Sequence, residues 1–232
     1  EIPWDGGTPF FLADFHQSEE LSGVCPRTLL KRVRDQCLEL GYLPRFASEY
    51  EWFNFKETPG TLQEKSYRDP QPMTPGMFGY SHLRASQKAE YFSDLINLLR
   101  GFGVSIEGMH TETGDGVYEA SIEYTDIFEA ADQSILFKTG VKEIAPQHDL
   151  TASFMAKWTN RLPGCSGHLH QSLWDPEGKK NLFYDEEADR HVSDLMRRYI
   201  AGQLYCLPHI LPMYAPTVNS YKRFVGGSWA AT

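Results

Sequence analysis

Several glutamates lie close together on either side of one glycine-rich turn. The turn, Thr113–Gly116, reads Thr-Gly-Asp-Gly, and these residue types tolerate the positive φ angles that a tight reversal requires. We therefore predict an antiparallel hairpin of Val104–Glu112 and Val117–Tyr124. In that hairpin the carboxylates of Glu112 and Glu119 approach each other. They repel unless one is protonated or a cation lies between them, so a site for a hard divalent metal is the functional interpretation. The alternative is a pair of solvated surface glutamates, which are common.

Two further segments carry acids or histidines spaced two residues apart. Residues 45–55 are rich in aromatic side chains and predict a buried strand, with Glu49 and Glu51 on the same face. Burying two acids is costly unless a cation meets them. A later segment predicts a strand with His168 and His170 on one face. An isolated His-x-His is more often a hydrogen-bonded pair than a ligand set, but three strands that each present such pairs favour a metal site. Oxygen-rich ligation with one imidazole suits Mg²⁺ or Mn²⁺ better than zinc.

The composition excludes several other classes of protein. The 232 residues, 41% of them hydrophobic, are enough for one sizeable core, and we predict a single domain over residues 1–232. The formal charge of −9 and the absence of a Lys/Arg cluster argue against a nucleic-acid surface. No apolar run approaches the ~20 residues of a membrane span. The cysteines lack CxxC spacing and the first residues do not resemble a leader, so we expect a cytoplasmic protein.

Four segments have the apolar periodicity and end signals of helices. The first should pack beside the strand of Glu49 and Glu51. The third, with Thr125 and Asp126 at its N-terminal cap, should be the longest. The predicted helices are Pro26–Leu40, Ser86–Phe102, Ile127–His148 and Arg190–Cys206.

The remaining segments predict short strands and a loop. The strands are Phe10–Phe15, Thr151–Lys157 and His168–Trp174, and the proline-rich segment Thr58–Pro75 is predicted to be a loop. Antiparallel strands with segregated helices, and no βαβ repeat or internal period, indicate the α+β class.

Five motifs together carry a resemblance to a known family. In chain order they are SEYEWFNF, GMHTETGDGVYEA, FEAADQSILFKTGVKEIA, GCSGHLHQSLW and APTVNSYKR. This series, in its order and spacing, resembles the catalytic domain of the glutamine synthetase family over about residues 44–223. The resemblance implies a curved antiparallel sheet, a half-barrel, with a metal site on its concave face.

The same resemblance implies an activity and a set of site residues. The activity is an ATP-dependent ligation of glutamate, or a similar acid, to ammonia or an amine through a γ-glutamyl phosphate, in a homo-oligomer whose active sites are shared between subunits. One Mg²⁺ or Mn²⁺ would be held by Glu51, Glu112 and Glu119. A second would be held by Glu49 and His168, with a further glutamate beyond this chain. The remaining implied roles are a phosphate contact for His170, the nucleotide pocket for Glu107 and Ser172, and the substrate carboxylate for Arg223.

The sequence departs from the family pattern in three places. The Asn-Gly pair that binds glutamate is replaced by Pro163-Gly164, and the following small residues differ. An ungapped count from Arg223 places Trp229 where the family has the glutamate that helps ammonia to react. An indole neither attracts ammonium as a carboxylate does nor accepts its proton, so an amine is the expected acceptor. Finally, we expect the family's N-terminal sheet domain and arginine-rich C-terminal segment to lie outside this chain.

Two other functions remain open at this point. A metal-dependent hydrolase would also use Glu and His clusters, but it would need an open ligand position for water and would not explain the NSYKR motif. A non-catalytic structural relative of the family is the other alternative. The retention of Glu49, Glu51, Glu112, Glu119 and His168 favours a catalytic protein.

Overall fold

The computed structural model describes residues 1–15 and 23–226. Its helices include α1 (Pro26–Glu39), α2 (Pro59–Glu64), α3 (His82–Ser86), α4 (Ala89–Gly101), α5 (Ile127–Ile144), α6 (Asp194–Tyr214) and α7 (Val218–Tyr221). Its strands are β1 (Leu43–Phe55), β2 (Ile106–Thr111), β3 (Val117–Ile122), β4 (Thr125–Asp126), β5 (Thr151–Ser153) and β6 (Gly167–Trp174). Short 3-10 turns follow α5 and precede α6.

The long strand β1 is the centre of an open antiparallel sheet. One edge of β1 pairs with β3 and β4, and the other edge pairs with β5 and β6. Strand β2 pairs with β3, so the predicted hairpin is confirmed. The aromatic residues of β1 suit a half-buried extended strand, which explains why 13 residues remain in one strand. The predicted α+β fold is confirmed.

Alternation along β1 places Trp52 on one face and Glu49 and Glu51 on the other. Trp52 of β1 and Tyr118 of β3 pair in register, with ring centroids 5.9 Å apart. Both are fully buried, in a core that they share with apolar residues of α4 and α5. The next pair along these strands, Glu51 and Glu119, lies on the opposite face because adjacent residues alternate. The same strands therefore hold the hydrophobic core on one face and the acids on the other.

Helix α1 lies against α5 and β1, as predicted. Arg27 forms an ion pair with Asp132 at 2.7 Å, and its guanidinium lies 4.2 Å from the centre of the Phe128 ring. The predicted cap of α5 is also confirmed, since the Asp126 carboxylate accepts from the backbone N–H of Phe128. Within the described parts of the chain, none of the helices combines the length and the apolar character that crossing a bilayer requires.

Two predicted helices begin or end at other residues in the structure. The segment predicted as one helix from Ser86 is divided, because Lys88 has non-helical backbone angles before α4 begins. Helix α6 begins later than predicted, after a cap by Ser193, and continues past Cys206 to Tyr214. It has 21 residues against 18 in α5, so the prediction that α5 is the longest helix was wrong. The two prolines within α6 each remove a backbone donor without ending the helix.

Two predicted strands and the predicted loop also differ. Residues 10–15 form no strand, and the side chain of Phe11 is 85% exposed. Strand β5 has three residues because it pairs only with the last residues of β1. Inside the predicted loop, α2 forms because Thr58 and Thr61 make a reciprocal capping box ahead of a proline-initiated turn.

Candidate functional site

The acidic face of β1 meets β3 on one side and β6 on the other. Glu49 pairs in register with Ser121 of β3 and with His168 of β6. Glu51 pairs with Glu119 of β3. Residues in register across antiparallel strands project from the same face and are close enough to interact. The acids and histidines predicted on separate strands therefore come together on one face of the sheet.

One group of side chains forms around Glu49. His168 Nδ1 lies 2.6 Å from Glu49 Oε1, and the Ser121 hydroxyl donates to Glu49 Oε2 at 2.7 Å. His170 Nε2 lies 3.5 Å from the same Oε2. Glu49, Glu119 and His168 each offer one ligand atom within 4.8 Å of the others. This group could hold a cation between β1, β3 and β6.

A second group shares Glu119 with the first. His110 Nε2 lies 3.2 Å from Glu119 Oε1, and His110 Nδ1 lies 3.8 Å from Glu112 Oε2. These three residues also offer ligand atoms within 4.8 Å of one another. The ring of Tyr80 stacks on His110 with centroids 4.5 Å apart. The hairpin thus brings Glu112 and Glu119 together as predicted.

Glu51 makes contacts that the sequence did not predict. The backbone N–H and the hydroxyl of Ser166 both donate to Glu51 Oε2, the hydroxyl at 2.7 Å. Among the described residues, Glu51 belongs to neither group of convergent ligand atoms. Glu51 therefore lies opposite Glu119 on the same face without joining either group, and its role as a metal ligand stays a prediction.

The charges of these carboxylates are only partly compensated by the protein. Burial raises the pKa of Glu119, and the carboxylates of β1 raise it further. Burial alone would also raise the pKa of Glu49, but hydrogen bonds from His168 and Ser121 outweigh that effect and lower the pKa. Glu112 Oε2 is buried and, within the described ranges, accepts no hydrogen bond. A buried carboxylate oxygen without a donor, beside other carboxylates and imidazole, fits a divalent metal ion.

A cavity of about 430 Å³ opens beside the first group. The three residues predicted to bind a nucleotide, Glu107, His170 and Ser172, all line it, and so does Glu49. Its volume falls within the roughly 300–1,000 Å³ of small-molecule sites. The structure thus brings these predicted residues into one space, and their contact with a nucleotide stays a prediction.

Two aromatic rings and an arginine form part of the cavity wall. The rings of Tyr124 and Trp174 are nearly parallel with centroids 6.2 Å apart, and the Arg45 guanidinium lies 4.8 Å from the Trp174 centroid. The indole N–H of Trp174 donates to the Ser172 hydroxyl at 3.0 Å. We did not predict these three residues from the sequence. Arg45 could have been found from its even spacing to Glu49, and Trp174 from its even spacing to Ser172, because residues at even spacing share one face of a strand.

Two further residues of the acidic face, one of them a member of a metal-ligand group, also went unpredicted. His110 lies two residues before Glu112, and this His-x-Glu spacing places both on one strand face. Ser166 precedes β6, where no periodicity applies, so its contact with Glu51 depends on the fold alone.

Arg223 lies at the loop that leads into β6. A Cβ added to Gly164 would lie 2.9 Å from Arg223 Cγ, so the aliphatic part of the arginine packs directly on this glycine. Burial raises the pKa of the neighbouring Cys165 thiol, and the charge of Arg223 partly offsets that effect. Trp229, the residue predicted to decide between ammonia and an amine, lies outside the described residues.

Comparison with known proteins gives consistent matches over the whole chain. A family model described as the glutamine synthetase catalytic domain matches residues 23–232. The type-1 glutamine synthetase 2 of Dictyostelium discoideum is 48% identical over 100% of this chain and 44% of its own length. A glutamate–isopropylamine ligase of a Pseudomonas species is 33% identical over 99% of this chain and 50% of its own length. The chain therefore spans about half the length of the relatives that it matches.

A solved structure of a GmaS/ADP complex has the same fold. It matches with a TM-score of 0.76 over 88% of this chain and 45% of that chain, at 24% sequence identity. At this identity the comparison supports the shared arrangement of sheet and helices, and the assignment of individual site residues rests on the geometry above.

Proposed function

This chain belongs to the glutamine synthetase family, and from that premise we propose that it supplies the active-site sheet of an ATP-dependent carboxylate–amine ligase. The acid is glutamate or a similar compound, and the acceptor is ammonia or an amine. One observation carries the proposal: two groups of carboxylate and imidazole ligands share Glu119, and the group around Glu49 lies beside a cavity lined by the predicted nucleotide residues. A purely structural protein does not need these features side by side.

The proposed metals are Mg²⁺ or Mn²⁺. Glu49 and His168 would hold one ion, and Glu112 and Glu119 would hold the other together with Glu51. When bound, such ions neutralise charge on the phosphates of ATP and on the acid, so that the two anions can approach each other. The support within this chain is the convergence of ligand atoms and the buried oxygen of Glu112 that has no hydrogen-bond donor among the described residues.

The proposed reaction has two steps. A carboxylate oxygen of the acid attacks the γ-phosphorus of ATP, the bond to ADP breaks, and an acyl phosphate forms. The amine then attacks the acyl carbon, inorganic phosphate leaves, and a base accepts the proton that the amine loses. The first step needs the acid and the nucleotide to be held in line, which is the task of the residues around the cavity.

The family resemblance supports a proposed role for each of four residues. Arg223 would bind the acid's carboxylate through its planar guanidinium, which suits a carboxylate geometrically. His170, which lines the cavity and lies 3.5 Å from Glu49, would contact a phosphate. Glu107 and Ser172 would line the nucleotide pocket, with the ring of Trp174 holding the Ser172 hydroxyl in place.

The family membership also supports proposals about assembly and acceptor. We propose a homo-oligomer with active sites shared between subunits, which agrees with the openness of this face, where the His168 side chain is 50% exposed. For the acceptor we propose an amine in preference to ammonia, on the basis of Trp229 and of the similarity to a glutamate–isopropylamine ligase.

A thermal-shift experiment tests the nucleotide part of this function. Mg²⁺-ATP at about 100 times its Kd should stabilise the folded protein by roughly 2.7 kcal/mol, which raises the melting temperature by several degrees. ATP with a chelator should give a much smaller shift. His170→Ala removes a contact to phosphate and should weaken Mg²⁺-ATP binding by roughly tenfold or more. The exposed His209 of α6 offers a matched control, since His209→Ala should keep the parental shift. An equal shift in His170→Ala and the parent would refute the role of His170.

A further inference from the structure

The loop between β5 and β6 contacts both the acidic face and the segment of Arg223. Near its end, Ser166 donates to the carboxylate of Glu51. The backbone N–H of Cys165 donates to the carbonyl of Ala156 at 2.9 Å, which closes the loop on itself. One closed loop therefore links Glu51 to the residue that is proposed to bind the acid.

Asn219 ties the segment of Arg223 to this loop. Its Oδ1 accepts from the backbone N–H of Lys157 at 2.8 Å, and its Nδ2 donates to the carbonyl of Lys157 at 2.7 Å. Because the two bonds engage both backbone groups of one residue, they fix the orientation of the segment as well as its distance from the loop. The short helix α7 then leads directly to Arg223, whose backbone N–H donates to the Ser220 carbonyl at 3.2 Å.

Gly164 provides the space in which Arg223 lies. A Cβ at this position would come within 2.3 Å of the Ala156 carbonyl oxygen and within 2.9 Å of Arg223 Cγ. Both distances are too short for any side chain. A residue larger than glycine would therefore open the closed loop or displace the arginine.

We propose that Asn219 is a positioning residue that sets Arg223 at the correct place for the acid substrate, with Gly164 as the steric counterpart of this contact. The inference rests on the proposed function, because it takes Arg223 as the group that binds the acid's carboxylate. It adds a cause for the location of Arg223. The two hydrogen bonds to Lys157 fix the position of Arg223 relative to the loop that also contacts Glu51.

The test is a double-mutant cycle in steady-state kinetics with the protein at its full natural length. With saturating Mg²⁺-ATP and a fixed acceptor amine, Arg223→Ala should raise the KM for L-glutamate by about 100-fold. Asn219→Ala should raise it by about tenfold, because a misplaced binding group loses much of its effect. If Asn219 acts through Arg223, the double variant should be no worse than Arg223→Ala alone. The KM for ATP should stay within about twofold in Asn219→Ala. Asn97→Ala, which removes an asparagine hydrogen bond on the distant helix α4, should leave all constants unchanged.

Each result separates this inference from the proposed function. An unchanged KM for L-glutamate in Arg223→Ala would overturn the role of Arg223 itself. A raised KM in Arg223→Ala with a parental KM in Asn219→Ala would overturn the positioning role alone, and so would effects that multiply in the double variant. If Asn219→Ala does not fold, Asn219→Asp keeps the acceptor for the Lys157 N–H and loses the donor, and an intermediate KM is expected. Loss of the fold in both variants would show that Asn219 serves general stability and would overturn the inference.

Discussion

Replacing Glu119 by glutamine is expected to weaken Mn²⁺ binding by roughly 10–100-fold or more, as even the loss of groups that support metal ligands has effects of this size. Glu119 is the residue that the two groups of ligand atoms share. Glutamine has nearly the same shape as glutamate but carries no charge, so the substitution removes an anionic ligand without creating a cavity. Titration calorimetry, or the paramagnetic relaxation of water protons by Mn²⁺, measures the affinity directly.

In the absence of metal, the same substitution should not lower the stability of the folded protein. Glu119 is 8% exposed, and burial together with the carboxylates of β1 raises its pKa. A raised pKa means that the ionised form costs folding free energy at neutral pH, so glutamine should leave the melting temperature in chelator unchanged or raise it. The exposed Glu177 provides the control, because Glu177→Gln should change neither quantity. Parental Mn²⁺ affinity in Glu119→Gln would refute the metal site.

The choice of acceptor is expected to show the second large effect. At its full natural length the protein should use an alkylamine or polyamine with at least about tenfold higher kcat/KM than ammonia. An ungapped count from Arg223 predicts that Trp229 takes the position of a glutamate in the family, where a carboxylate would both attract ammonium and accept its proton. Two CH₂ groups of an amine buried against the indole would contribute about 1.6 kcal/mol, a preference of roughly 15-fold over ammonia. The cation–π attraction of roughly 0.5–2 kcal/mol is available to ammonium as well. Another base must then accept the proton.

A panel of ammonia, alkylamines, ethanolamine and a diamine, with phosphate release as the readout, tests this preference. Trp229→Phe should keep the preference for alkylamines, because it retains an aromatic ring. Trp229→Glu should shift the preference toward ammonia. If the parent protein has a kcat/KM for ammonia equal to or above that for every amine, the proposal is contradicted and the activity is ordinary glutamine synthesis.

The parts of the fold with a strong period or a specific turn were predictable from sequence. The hairpin followed from Thr113–Gly116, and the Asp126 cap of α5 followed from a preferred residue at the start of an apolar stripe. Elements that depend on contacts with distant parts of the chain were not predictable in this way. Residues 10–15 have the composition of a strand but no strand partner among the described residues, and α6 continues through two prolines, which usually kink or end a helix.

The candidate site shows the same division. Alternation within strands was sufficient to place Glu49 and Glu51 on one face and to bring Glu112 near Glu119. Contacts between segments far apart in sequence were not visible in this way. The two donors from Ser166 to Glu51 arise where a loop meets a strand, and no local pattern encodes them. The clamp of Asn219 on Lys157 is another example, since it spans 62 residues.

The central claim is that the acid is activated by phosphorylation before the amine attacks. The most direct test uses L-glutamate labelled with ¹⁸O in its γ-carboxylate, incubated with Mg²⁺-ATP, an acceptor amine and the protein at its full natural length. An acyl phosphate transfers one carboxylate oxygen to phosphorus, and that oxygen leaves with the phosphate when the amine attacks carbon. We predict one ¹⁸O atom in each inorganic phosphate released with the amine present, and much slower release of labelled phosphate when the amine is omitted, because the acyl phosphate then breaks down only slowly. Phosphate whose new oxygen comes from water, as a hydrolase would give, or no amine-dependent phosphate at all, would contradict it.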